Sequence, residues 1–118
     1  MASYRDLEVW RRAKDLAVAV YRSTEAFPAR ERFGLAAQMR SAAVSIPSNI
    51  AEGYGRSHRS EYLQFLGIAN GSLKELETQL IIAAETGLMS GTEVLLAECT
   101  KVGRQLSALI ASLRRPKT

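Results

Sequence analysis

From Leu35 to Gly53 the chain carries an apolar stripe, Leu35, Met39, Ala42, Ile46, Ile50 and Gly53, at the three-and-four spacing of a helix face turned to a core. Pro47 stands inside that helix. It has no N–H for the Ala43 carbonyl, and its ring crowds that carbonyl, so it costs about 3 kcal/mol and predicts a kink. Ser45, Ser48 and Asn49 supply polar groups for the freed backbone, while Ala42 and Ala43 leave room for a bend. Gln38, Ser45, Asn49 and Glu52 repeat on an adjacent stripe, so protein is expected to cover most of the helix circumference. Ser45, Pro47, Asn49 and Glu52 are therefore expected to form a structural polar network that sets the second helix against the third, with Gln79 or Glu75 as partners. The alternative is a polar functional surface.

Other helices follow from the same periodicity. Ser3 and Asp6 have capping-box spacing, and Leu7, Trp10, Ala13, Ala17, Val20 and Thr24 mark a first face that Phe27-Pro28 ends. A third helix carries Leu66, Ala69, Leu73, Leu76, Leu80 and Ala83, opens at Ser57 or Ser60 and closes on Gly87. Phe65, Ile68, Ile81 and Ile82 lie partly off its main face, more than one neighbour pair buries. Ser90 and Glu93 repeat the capping-box spacing before Leu95, Cys99, Val102, Leu106, Leu109 and Leu113. No stretch alternates with period two for the length of a strand. Helices over about 4–26, 30–54, 60–86 and 91–115, joined by short links, predict an all-α, antiparallel up-down-up-down four-helix bundle in a single domain, 1–118.

Composition bounds the function. The chain of 118 residues is long enough for one hydrophobic core. Its 47% hydrophobic content, with 8 glycines added, exceeds the usual share of about 45–50% and points to surface hidden between subunits. A net charge of +4 and a pI near 9.6 permit attraction to nucleic acid without requiring it. One cysteine, no signal-peptide core and no long apolar run predict a cytoplasmic protein away from membranes.

Catalytic chemistry has little to draw on. His58 and Cys99 are single residues of their kind, which leaves no set for a metal site or a Ser-His-Asp triad. Glu-x-x-His, the di-iron signature of a bundle, is absent, and Gly53-Tyr54-Gly55 lacks the context of a phosphate loop. Glu75 and Glu77 point apart on a helix. No catalytic residue, cofactor or metal is expected, and the chain reads as a non-enzyme.

Leu7-Glu8-Val9-Trp10, Phe27-Pro28, Phe33-Gly34-Leu35, Gln38-Met39-Arg40, Ser45 to Gly53 and Gly71 to Leu80 together resemble the bacterial four helix bundle protein family, also called the 23S rRNA intervening sequence or S23 family. The resemblance spans nearly the whole chain. It implies a four-helix bundle assembled as a ring, a homopentamer. The chain is also similar to the accessory variability proteins of diversity-generating retroelements, basic rings that bind a reverse transcriptase and nucleic acid.

Two function classes follow. The first is a non-enzymatic oligomeric interaction module with itself or another protein as partner. The second is an accessory protein that binds RNA or DNA without sequence specificity, through Arg11, Arg12, Lys14, Arg56, Arg59, Lys101, Arg104, Arg114, Arg115 and Lys117. Whether these cations share one face separates the two.

Overall fold

The Ser3–Asp6 pair makes the expected box: the Asp6 carboxylate accepts the Ser3 N–H at 3.0 Å, and the Ser3 hydroxyl accepts the Arg5 N–H at 3.0 Å. What it caps is a separate 3₁₀ turn, Tyr4–Asp6, because Leu7 is extended (φ −75°, ψ 124°) and interrupts the helix. The first α-helix, α1, spans Glu8–Thr24 in this computed structural model, which describes residues 2–116. Its buried stripe is Val9, Ala13, Leu16, Ala17 and Val20, with Leu7 and Trp10 half-buried at its edge. The inward face is thus centred on Leu16 rather than on Trp10. Trp10 and Tyr4 pack edge-to-face, ring centroids 5.0 Å apart, which places the indole beside the 3₁₀ turn.

Phe27-Pro28 lies beyond the end of α1, followed by a 3₁₀ turn at Ala29–Glu31. Helix α2 spans Leu35–Tyr54, later than the expected start at 30, because Gly34 is its N-cap and the Glu31 carboxylate accepts the Leu35 N–H at 3.2 Å. Helix α2 carries two buried rows. Met39, Ala42, Ile46, Ile50 and Gly53 form the predicted one, and Ala36, Ala43 and Pro47 form a second. α2 remains one helix through Pro47.

Helix α3 spans Arg59–Glu85, and neither Ser57 nor Ser60 caps it; His58 is the N-cap. Its C-terminus closes as expected on Gly87, whose φ of 77° suits a residue without Cβ. The Leu88 N–H reaches the Ala83 carbonyl at 2.9 Å and the Gly87 N–H reaches Ala84 at 3.2 Å, the paired bonds of a Schellman motif. Helix α4 spans Thr92–Arg114. Its N-cap is Gly91 in the left-handed region (φ 68°), so Ser90 does not cap it.

Neighbouring helices pack in the cyclic order α1, α2, α3, α4, back to α1, which is the up-down-up-down arrangement. The rod measures 53 × 21 × 20 Å. Met39, Ile46, Ile50, Leu66, Leu73, Leu76, Leu80, Val102 and Leu106 are fully enclosed. Burying each such side chain contributes about 1.5–3 kcal/mol. Tightest of all is the α2–α3 contact. A Cβ placed on Gly53 would sit 2.9 Å from Phe65 Cβ and 3.2 Å from the Tyr62 carbonyl oxygen. Only glycine permits that approach.

Candidate functional site

Part of the polar stripe on α2 is enclosed. The Ser45 and Ser72 hydroxyls meet at 2.8 Å across the α2–α3 contact. Asn49 donates through Nδ2 to the Ser45 carbonyl at 2.8 Å and to the Ser45 hydroxyl at 2.9 Å. The bonds supply a second partner to the Ser45 carbonyl, whereas the carbonyl that Pro47 deprives is that of Ala43. Pro47 itself is buried on the α1 side of the helix.

Glu52 stands outside this network. It is exposed and pairs with Arg56 at 3.6 Å, because the closest approach to α3 runs through Gly53 and the neighbouring position is rotated about 100° away. The partner of Ser45 is Ser72, in place of Gln79 or Glu75. Gln79 is buried, its Nε2 lies 3.5 Å from Glu75, and its Oε1 has no hydrogen-bond partner.

The ten cations of the sequence reading divide into groups, with Lys117 outside the described residues. Arg12 pairs with Glu8 at 3.5 Å and Glu98 at 3.4 Å, and Lys101 pairs with the same Glu98 at 3.3 Å. This α1–α4 seam is therefore largely neutral. Arg11 donates to the Arg5 carbonyl at 2.9 Å, and Lys14 pairs with Asp15 at 2.7 Å. Arg104 lines a separate groove between α3 and α4. Arg56, Arg59 and Arg115 do converge. With His58 and Tyr62 they line a cavity of about 460 Å³ at the end of the bundle where α2 turns into α3 and α4 finishes. Arg114 closes α4 at the same end.

Apolar side chains are exposed at Phe33 before α2, at Val94 in the first turn of α4, and in two further places. Val18, Tyr21 and Val44 border a groove of about 470 Å³ between α1 and α2, with Pro47 at its floor. On α3, Ile68, Ile81 and Ile82 are 47%, 47% and 44% exposed. Gly67 and Gly71 are also exposed on α3, and a Cβ on either would meet nothing within 4 Å.

Cys99 is fully enclosed in the core. Burial pushes its thiol up to about 12; the charge of Glu77 adds to the shift and Lys74 offsets part of it. Such a thiol is a poor nucleophile. Among the described residues no group of three or more His, Cys, Asp or Glu side chains is placed to hold a metal ion, and no helix is long and apolar enough to cross a membrane.

Fold and surface together define an all-α four-helix bundle. Residues 5–108 match the 23S rRNA-intervening sequence protein family, and the chain belongs to that family. It is similar in fold to a protein of unknown function from the S23 ribosomal protein family of Bacteroides thetaiotaomicron VPI-5482. The TM-score is 0.79 at 21% identity, over 87% of this chain and 95% of that one. No curated protein sequence matches the chain.

Proposed function

We propose that this chain is a cytoplasmic, non-enzymatic interaction protein that works as a homo-oligomer, with a pentameric ring as the form its family resemblance implies. The observation that supports this reading is the set of exposed apolar side chains on two surfaces, the α1–α2 groove and α3 around Ile81 and Ile82. They lie on different helices, so one copy's α3 patch seated on the next copy's groove is a head-to-tail contact, and such contacts generate rings when the rotation closes. Light scattering at micromolar concentration tests it. The wild-type chain is expected at a multiple of 13.0 kDa, and Ile81→Asp with Ile82→Asp is expected to return it to 13.0 kDa. A wild-type monomer sinks the reading.

A second reading, nucleic-acid binding without sequence specificity, is favoured by one observation: Arg56, Arg59 and Arg115 converge on one end of the bundle. Binding to phosphates must weaken steeply as salt rises. Filter binding of RNA and DNA from low to high salt tests it, and no retention at low salt removes it.

A further inference from the structure

We infer that the cavity at the α2–α3 end of the bundle binds the terminal phosphate of a nucleotide strand. The inference rests on the nucleic-acid reading and names the part of the ligand this site takes. Among the described residues no carboxylate lines the cavity, whereas three arginines do. Arg56 is the one already engaged: Glu52 pairs with it at 3.6 Å, and its guanidinium lies over the Phe65 ring, 4.9 Å from the centroid. That stacking fixes its orientation. Arg59 donates to the Arg115 carbonyl at 3.4 Å, which draws the first turn of α3 and the last turn of α4 around the same space.

With the charge of Arg56 balanced by Glu52, Arg59 and Arg115 supply two positive charges that form no ion pair among the described residues. A phosphomonoester carries about −1.5 to −2 at neutral pH, and an internal phosphodiester only one negative charge. The site therefore matches a chain end better than a chain interior. Planar guanidinium forks also suit the oxygens of a phosphate. Helix α3 starts at this point with no side-chain cap from His58, but α2 and α4 end here, so the helix dipoles oppose one another and the arginines carry the positive charge of the site.

The cavity, about 460 Å³, is larger than a bare phosphate needs. Tyr62, Leu113 and Pro116 give it an apolar wall beside the cations. The Tyr62 ring is half-buried and held edge-to-face against Tyr54, centroids 6.1 Å apart. An aromatic wall next to arginines is the setting in which the base of a single strand rests while its phosphate is held.

Fluorescence anisotropy with a short RNA, labelled at its 3′ end and carrying either a 5′-phosphate or a 5′-hydroxyl, tests the site. The phosphorylated strand is expected to bind about tenfold more tightly. Arg59→Ala with Arg115→Ala is expected to bring it down to the hydroxyl strand with no change in thermal midpoint, since both side chains are exposed. Should the double variant lose its fold, Arg115→Gln alone carries the same expectation in reduced degree. Equal, salt-sensitive binding of the two strands overturns the site and leaves the nucleic-acid reading standing; no binding of either overturns both. A preference that survives the substitutions, or stronger competition by a phosphoserine peptide than by adenosine monophosphate, also overturns the assignment.

Discussion

The Ser45 and Ser72 hydroxyls bond at 2.8 Å, half-buried, in the middle of the α2–α3 contact. Asn49 completes the arrangement by donating to both the carbonyl and the hydroxyl of Ser45. Each partner limits where the others sit, so the network registers α2 against α3.

Loss of Asn49 should therefore be felt in stability. Asn49→Ala is expected to lower it by about 1 kcal/mol, the usual net value of such a bond in a half-buried place. Glu52→Ala, on the exposed end of the same stripe, should stay within about 0.5 kcal/mol. Urea midpoints of the two variants, at fixed oligomeric state, give the comparison, and equal shifts would show that no network exists.

Glycines on α2 and α3 should respond in opposite directions. Gly53→Ala drives a methyl against Phe65 and the Tyr62 backbone, and overpacking of this kind costs about 1–3 kcal/mol. Gly67→Ala and Gly71→Ala meet open space, so each should stabilise the isolated chain by about 0.5–1 kcal/mol. If another copy packs closely on this part of α3, those same two changes should weaken the oligomer. Thermal unfolding and light scattering on the same three variants separate the effects.

Burial of Cys99 fixes both a reactivity and a pH dependence. Its thiol is expected to be silent toward Ellman's reagent until the chain unfolds. The folded value, about 12, lies above the ordinary 9.0, so the thiol's contribution is complete below 9.0 and is lost as pH rises toward 12. Cys99→Ala removes this dependence. The stability gap between wild type and variant should narrow by about 1.4 kcal/mol from about pH 8 to about pH 10. A constant gap in chemical denaturation would contradict it.

The α1–α4 seam offers a control on the basic surface. Arg12 is shared between Glu8 and Glu98, and a half-exposed network of this type contributes no more than about 1 kcal/mol. Arg12→Gln should accordingly leave nucleic-acid binding nearly unchanged, whereas Arg59→Gln should reduce both affinity and its salt slope. Titrations at two salt concentrations decide between them.

Helices and core were legible because burial enforces periodicity. Every residue of the predicted α3 face, Leu66 through Ala83, is fully enclosed. Link residues were less so. Ser90 and Ser60 look like caps by composition, yet Gly91 and His58 hold those positions, since backbone conformation decides where a helix starts. The stripe through Ser45, Asn49 and Glu52 was read as one unit, but periodicity records direction and not depth, and the last turn of α2 leaves Glu52 in solvent. Ser72 was missed because it stands more than a helix turn farther from the α2–α3 link than Ser45 does, so no symmetric spacing marks the pair. Charge grouping was the least legible, because Glu8 and Glu98 silence Arg12 from two different helices.

Gly53 gives α2 and α3 a close approach in the most extensively packed helix pair of the bundle, and only a short link, Gly55 to His58, separates the two helices. Closing so short a loop costs little chain entropy, and the reward is a tightly packed pair. This hairpin is thus the natural folding nucleus, with α1 and α4 docking afterwards onto a finished surface. Native-state hydrogen exchange should find the slowest amides around Ile46, Ile50 and Leu66 and the faster ones on α4.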